Sequence, residues 1–441
     1  MSQTAGNNRG TLGRAANRFP VTAQDMFNYI ARYTASNHQL NCVLAIDGLI
    51  DTVILSKAVR HTVDIESILR CRFVECPEPY WEEREDIDSL NYISIVETNK
   101  PDLEMEDFVV ESLDPCVDPL LKVRVIRAKT DYICIKVDHA CCDGGGLKEY
   151  VSLLADAYTG LMANTITDIK KTGGRRDQGQ VFEVLNITDP RQAWDSSRGD
   201  RQATWGFPSN PGIEERPKVA VRRISGEEFS RLVQGAQHKG CTINDILMTA
   251  FYRGYYEVVK PGEGRPMDIE LTVDLRRYIP DGHTGVLCNL SGSETVTLDV
   301  KKGERFKETL AKAIQQARRM KQGLFGMQTA FVFEVFQSIG FNQALDWFRQ
   351  MRQQAVQNKL ANPFLSNFGE VSSSTIKFGC RKVIDAYMVS PVFFAPGLML
   401  GVSTYREVLT LTIGFYQTST DSDNISLLLD QVITQLQAAG K

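Results

Sequence analysis

The sequence lacks any long apolar run. Its first twenty residues, MSQTAGNNRGTLGRAANRFP, are small and polar, with nothing of the length that a signal peptide or a membrane span needs. The expectation is a cytoplasmic protein without a membrane span, with residues 1–17 as a disordered lead. No charge of one sign dominates either: 50 Lys plus Arg stand against 54 Asp plus Glu, a net charge of -4. The concentrated positive field that a polyanion requires is missing, so nucleic acid is not an expected partner. The ten cysteines include no CxxC pair and no Cys/His array of zinc spacing, which speaks against structural zinc and, at this dilution, against a disulfide framework. The adjacent Cys141 and Cys142 read as packing in a close turn. Histidine is scarce, five in all, so each one can be weighed singly.

What is present is apolar bulk in alternating periods. At 441 residues with 43% hydrophobic, the chain exceeds one ordinary core, and two domains of roughly 150 to 220 residues are expected. PLLKVRVIRA from Pro119 and DYICIKVDH from Asp131 read as two strands joined by the polar turn KTD. Beyond them Leu147, Tyr150, Val151, Leu154 and Tyr158 recur at three and four, the stripe of an amphipathic helix. Residues 165–217 are rich in Asp, Arg, Gly, Ser, Gln and Pro without periodicity, as a linker or surface excursion would be. Patterning returns at Ile224, where Ser225 with Glu228 and Thr242 with Asp245 each predict a capping box. DIELTVDLRRYIP reads as a strand ending at Pro280, residues 302–321 as a charged helix, and 424–436 as a closing helix. The expected architecture is two α/β lobes, residues 18–164 and 218–441, with mixed sheets flanked by helices.

One stretch carries chemistry. In YICIKVDHACCDGGGLKEY a histidine, His139, stands where a strand gives way to a turn, with Asp143 four residues on and then Gly144, Gly145 and Gly146. A histidine projecting from a strand end into a cleft is a workable general base. The aspartate can hold the turn or cap the following helix, and the glycines admit a close approach and leave amides for an oxyanion. Among five histidines, Asp at plus four with Gly at plus five arises by composition with a chance of about 2%. The other histidines, His38, His61, His238 and His283, lie in polar surroundings and read as solvated. Asn289 and Ser291 in CNLSG, and Asn367 in SNFGEV, fit either a turn or a lining that donates to an oxyanion. The aromatic group Phe325, Phe331, Phe333 and Phe336 reads as core.

HACCDGGG, set after an apolar strand and before an amphipathic helix, resembles the HxxxDG signature of the chloramphenicol acetyltransferase-like superfamily. That superfamily includes peptide-synthetase condensation domains, wax ester synthases and plant BAHD acyltransferases. The resemblance runs in order from Arg18 through SILRCRF, PLLKVRVIRA, TINDILMTAFYRGYYEVV, TVDLRRYIP and GVLCNLSG. It implies two similar lobes meeting at a tunnel with His139 at its midpoint, an acyl thioester entering from one face and a hydroxyl or amine from the other, and no metal or resident cofactor. It also implies that Asp143 points away from substrate and pairs with an arginine: Arg276 is favoured and Arg70 is the alternative, with Arg277 facing the other way. Asp138 stands where the fuller pattern has a second histidine, and a carboxylate there would raise or reorient the base. The expected function is acyl transfer from a pantetheine thioester, acyl-CoA first, to a small hydroxyl or amine acceptor. The alternatives are a free-standing condensation enzyme whose donor sits on a carrier protein in trans, and a catalytically silent scaffold.

Overall fold

The computed structural model describes residues 17–165, 174–195, 202–262 and 265–440. The expected lead therefore lies outside the described residues except for Asn17, as do 166–173 and 196–201 of the expected linker.

In chain order, β1 (Arg18–Pro20), α1 (Ala23–Thr34), β2 (Gln39–Ile46) and α2 (Thr52–Ile65) come first. They are followed by β3 (Cys71–Val74), β4 (Tyr80–Glu83), β5 (Ile93–Glu97), α3 (Pro101–Val110), the hairpin β6 (Leu121–Arg127) and β7 (Asp131–Asp138), and α4 (Gly144–Ala163). A short α5 (Gly179–Val184) leads to β8 (Pro217–Ile224), α6 (Gly226–His238), α7 (Ile243–Val259), β9 (Met267–Asp274) and β10 (Ser291–Leu298). Three helices come next, α8 (Phe306–Lys321), α9 (Met327–Ile339) and α10 (Phe341–Asn358). The chain closes with β11 (Phe364–Glu370), β12 (Lys377–Phe378), β13 (Arg381–Val389), β14 (Met399–Tyr405), β15 (Val408–Tyr416) and α11 (Ser422–Ala439).

Two six-stranded mixed sheets organise these elements, in the orders β12-β13-β2-β7-β6-β5 and β10-β9-β11-β14-β15-β8, beside a small sheet β1-β4-β3. Alternation along β7 explains the first. Ile133, Ile135 and Val137 enter the core with α2 and α4, while Cys134 on the opposite face packs with Phe108 and Val109 of α3. In the second sheet Leu400, Val402, Leu409, Leu411 and Ile413 bury against α7 and α11. Both expected capping boxes form, Ser225 with Glu228 and Thr242 with Asp245.

Two details differ from the sequence reading, while Phe331, Phe333 and Phe336 take the core place expected of them. The strand in DIELTVDLRRYIP stops at Asp274, whose side chain accepts from the Arg276 amide and starts a 3-10 turn over Leu275–Tyr278. The aromatics near residue 330 lie in or beside the helical pair α9 and α10, and Phe331, Phe333 and Phe336 are buried. Finally, β12 and β13 belong by chain order to the second half but pair in the first sheet, β13 running antiparallel to β2. A single cut between residues 164 and 218 therefore does not part the two sheets.

Tyr405 of β14 ties the crossing strand down. Its hydroxyl donates to the Val383 carbonyl at 3.1 Å and accepts from the Ile376 amide at 3.2 Å, fully buried. Tyr405→Phe strands both backbone groups, and a loss of about 1–3 kcal/mol is expected in urea unfolding with an unchanged slope. An unmoved midpoint would show that this hydroxyl does not hold the crossing strand.

Candidate functional site

Three successive carbonyls of the turn after β7 are claimed from outside. Asn28 of α1 donates through Nδ2 to the His139 carbonyl at 3.2 Å, Asn289 donates to the Ala140 carbonyl at 2.9 Å, and Arg176 donates to the Cys141 carbonyl at 2.9 Å. These donors come from the first helix, the second lobe and the segment expected to be a linker. Arg176 also pairs with the buried Asp25 at 2.7 Å, so residues 174–195 supply part of the site rather than a bare connection. Asp25 accepts in addition from Trp81 Nε1 at 3.0 Å and from Asn289 at 3.0 Å.

Asp143 is the N-cap of α4, accepting from the Gly146 amide at 2.9 Å. It also accepts from the Leu290 amide at 2.7 Å and lies 2.9 Å from Arg276, with both side chains at most 5% exposed. Capping and ion pairing are thus done by one carboxylate. Burial alone would raise its pKa, but Arg276 and the two amides hold it below the usual carboxylate range. Arg70 is elsewhere, paired with Glu83 at 3.0 Å, and Arg277 lies over the rings of Tyr278 and Phe325.

The glycines have a packing reason. A Cβ on Gly144 would stand 2.7 Å from the Phe368 ring, one on Gly145 would stand 2.5 Å from Arg276 Nη1, and one on Gly146 would stand 3.2 Å from the Cys288 carbonyl and 2.9 Å from Cys142 Cβ. The run lets the second lobe close onto the start of α4. Of its amides, that of Gly146 is already given to Asp143.

His139 itself keeps part of its surface open. Its Nδ1 is buried without a hydrogen-bond partner, which leaves Nε2 as the reachable nitrogen. Burial holds the imidazole below its ordinary value, against the opposing pull of Asp143 and the Asn289 side chain. The neighbouring Asp138 carboxyl is engaged with the backbone of the turn. As the last residue of the strand Asp138 turns the other way, accepting from the Ala140 amide at 2.9 Å, and burial lifts its carboxyl to about 7.

The remaining sequence candidates are placed as follows. Both amide hydrogens of Asn289 are committed, to Ala140 and Asp25, and the residue is fully buried, so it does not donate into an open cleft. Its Oδ1 is buried without a partner. Ser291 is half-buried, and its hydroxyl accepts from Gln24 Nε2 at 2.7 Å, with its own hydrogen left to give. Asn367 sits at a β-bulge of β11, donating to Asn244 and accepting from the Gly369 amide at 2.9 Å, which serves the strand. The residues that sequence reading missed are Asn28, Asp25, Arg176 and His38. His38 is not solvated: its ring lies 4.7 Å from that of His139, centroid to centroid. Among the described residues no cluster of His, Cys, Asp and Glu could hold a metal ion, and no helix is long and apolar enough to cross a membrane.

No protein-family model and no curated protein sequence matches the chain. Solved structures do. The first condensation domain of the calcium-dependent antibiotic synthetase, in complex with a substrate analogue, superposes with a TM-score of 0.72 at 15% identity, covering 96% of each chain. Trichothecene 15-O-acetyltransferase from Fusarium sporotrichioides gives 0.69 at 13% identity, over 98% of this chain and 97% of that one. The starter condensation domain of rhizomide synthetase in complex with C8-CoA gives 0.67 at 13%, over 96% and 94%. The chain has the two-lobed fold of the chloramphenicol acetyltransferase-like and condensation proteins.

Two predictions follow from this geometry. Arg276→Ala leaves the buried Asp143 with only its two amides, and Asp143→Ala leaves Arg276 with the longer contacts to Asp274 at 3.3 Å and Glu149 at 3.5 Å, so each is expected to lose about 3–5 kcal/mol, the arginine variant the more, while the double variant loses little more than either. Additive losses in chemical denaturation would show that the two side chains do not act as a pair. For Asp138, the unfolded carboxyl ionises at about 3.9 and the folded one at about 7. Between those values the native state holds the extra proton, so stability falls as pH rises and the fall is complete above the folded value. Asp138→Asn removes this titration: the variant's melting temperature relative to wild type is expected to climb from pH 5 to pH 8. A difference that stays flat with pH contradicts the assignment.

Proposed function

We propose that the protein transfers an acyl group from a pantetheine thioester, acyl-CoA in the simplest case, to a hydroxyl or amine acceptor, with Nε2 of His139 as general base. The observation that carries the reading is a histidine at the lobe junction with one nitrogen buried and the other reachable, kept in its neutral form by burial. Asn289 Oδ1 has no partner, and its amide hydrogens are fixed elsewhere. With Nδ1 shut off from a reactant, the lone pair that can meet an acceptor's proton is the one on Nε2.

In the reaction the acceptor's O–H or N–H gives its proton to Nε2 as its oxygen or nitrogen bonds to the thioester carbonyl carbon. The tetrahedral intermediate then collapses, the C–S bond breaks, and His139 returns the proton to the leaving sulfur, so that a thiol and an ester or amide result. Ser291, with its hydroxyl hydrogen uncommitted, is the donor assigned to the oxyanion. A solved structure of this fold holding C8-CoA supports the choice of donor, and an acetyltransferase of this fold supports the reaction class.

The test is a panel of acyl-CoA chain lengths against mixed alcohols and amines, read by thiol release. His139→Ala is expected to lower turnover by about 10² to 10⁴ with the fold retained. Because the base must be unprotonated, kcat/KM should rise with pH along a limb centred below 6.5, the ordinary histidine value, and stay level above it. Near-wild-type turnover in His139→Ala removes His139 from the role, and absence of thiol release across the whole panel removes the acyl-CoA reading.

A further inference from the structure

His38 occupies the connection between α1 and β2 with left-handed backbone, φ 45°, a conformation that costs a non-glycine residue about 1–2 kcal/mol and persists only where its surroundings enforce it. What the conformation achieves is visible around it. The His38 ring stacks on that of His139 with 4.7 Å between centroids and 16° between planes. Its backbone carbonyl accepts from the His139 amide at 3.1 Å. Its Nε2 meets Asn28 Oδ1 at 3.2 Å, and the same Asn28 donates from Nδ2 to the His139 carbonyl at 3.2 Å. On the far side Nδ1 lies 2.9 Å from Ser36 Oγ, which also accepts from the His38 amide at 3.0 Å.

Counting donors fixes the proton. Asn28 gives its nitrogen to a carbonyl, so its oxygen faces Nε2 and can only accept, and Nε2 carries the hydrogen. Ser36 then gives its hydroxyl proton to Nδ1 while its oxygen takes the backbone N–H. Every polar atom of the ring is satisfied in the neutral state, and burial opposes a charge there.

We infer that His38 is a positioning residue for the base: its ring sets the plane of the His139 imidazole, while its carbonyl and Asn28 pin the His139 peptide groups on both sides. A flat, neutral neighbour fixes the direction of Nε2 without adding charge beside the imidazolium that forms when the acceptor is deprotonated. A base whose ring can swing loses alignment, and displacement of about 1 Å costs on the order of 10²-fold in rate. This inference rests on His139 being the base proposed above.

The test uses His38→Asn, which tolerates left-handed backbone but has no ring, and His38→Phe, which keeps a flat ring without its hydrogen bonds. His38→Asn is expected to lower kcat by about 10- to 100-fold with KM within about twofold, and His38→Phe to recover most of that loss. Wild-type kcat in His38→Asn overturns the inference, as does a loss in His38→Phe equal to that in His38→Asn. A second readout does not depend on turnover: the His139 Cε1–H proton resonance, identified by its absence in His139→Ala, should move in His38→Asn as the stacked ring's magnetic influence disappears. If the wild type shows no transfer, the function proposal fails, and this resonance still decides: an unmoved signal in His38→Asn overturns the stacking role.

Discussion

A carboxylate sealed between two lobes must be matched on every side, because an unmatched charge in a dry interior costs several kcal/mol. Asp143 meets that requirement with one guanidinium and two amides, drawn from the end of β9, the segment before β10 and the first turn of α4. The rest of the junction follows from it. Arg276 can approach only if no side chain stands on Gly145, and Phe368 can cover the helix start only if none stands on Gly144. With α4 anchored there, the turn that precedes it has its carbonyls presented to Asn28, Asn289 and Arg176, and His139 is left with a single direction in which its ring can face a reactant.

This arrangement separates charge from chemistry. The ion pairs Asp143 with Arg276 and Asp25 with Arg176 are closed on one another, whereas burial favours the neutral form of the histidine between them. In the proposed reaction, a neutral histidine surrounded by closed ion pairs would accept a proton without a competing carboxylate taking it first. The fixed dipoles around it do not need to reorganise when charge appears, the condition under which an active site stabilises a transition state better than water does.

The parts of the molecule legible in the sequence were those whose cause is local. The hairpin of β6 and β7, the two capping boxes and the stripe of α4 each follow from residues within a few positions of one another. The histidine, aspartate and glycines of the turn were visible as a pattern for the same reason. What was hidden depends on distant partners: Arg176 meets Asp25 across 151 positions and Asn289 meets Ala140 across 149, and no local signal marks either pair. His38 reads as solvated in the sequence because its neighbours, Ser36 to Gln39, are polar, whereas in space they form a half-buried hydrogen-bonded network.

The placement of β13 has a consequence for how the chain comes into being. The first sheet has β2 exposed along one side until residues 381–389 arrive to cover it, roughly 250 residues after β7 has left the ribosome. At about 5–20 residues per second that is an interval of tens of seconds, during which an unpaired strand edge is open to any extended segment nearby. The first lobe is thus a guest of its own unfinished state, completed only when nearly the whole polypeptide exists. The two halves of the chain, however alike in outline, share the first sheet, and neither holds that sheet complete.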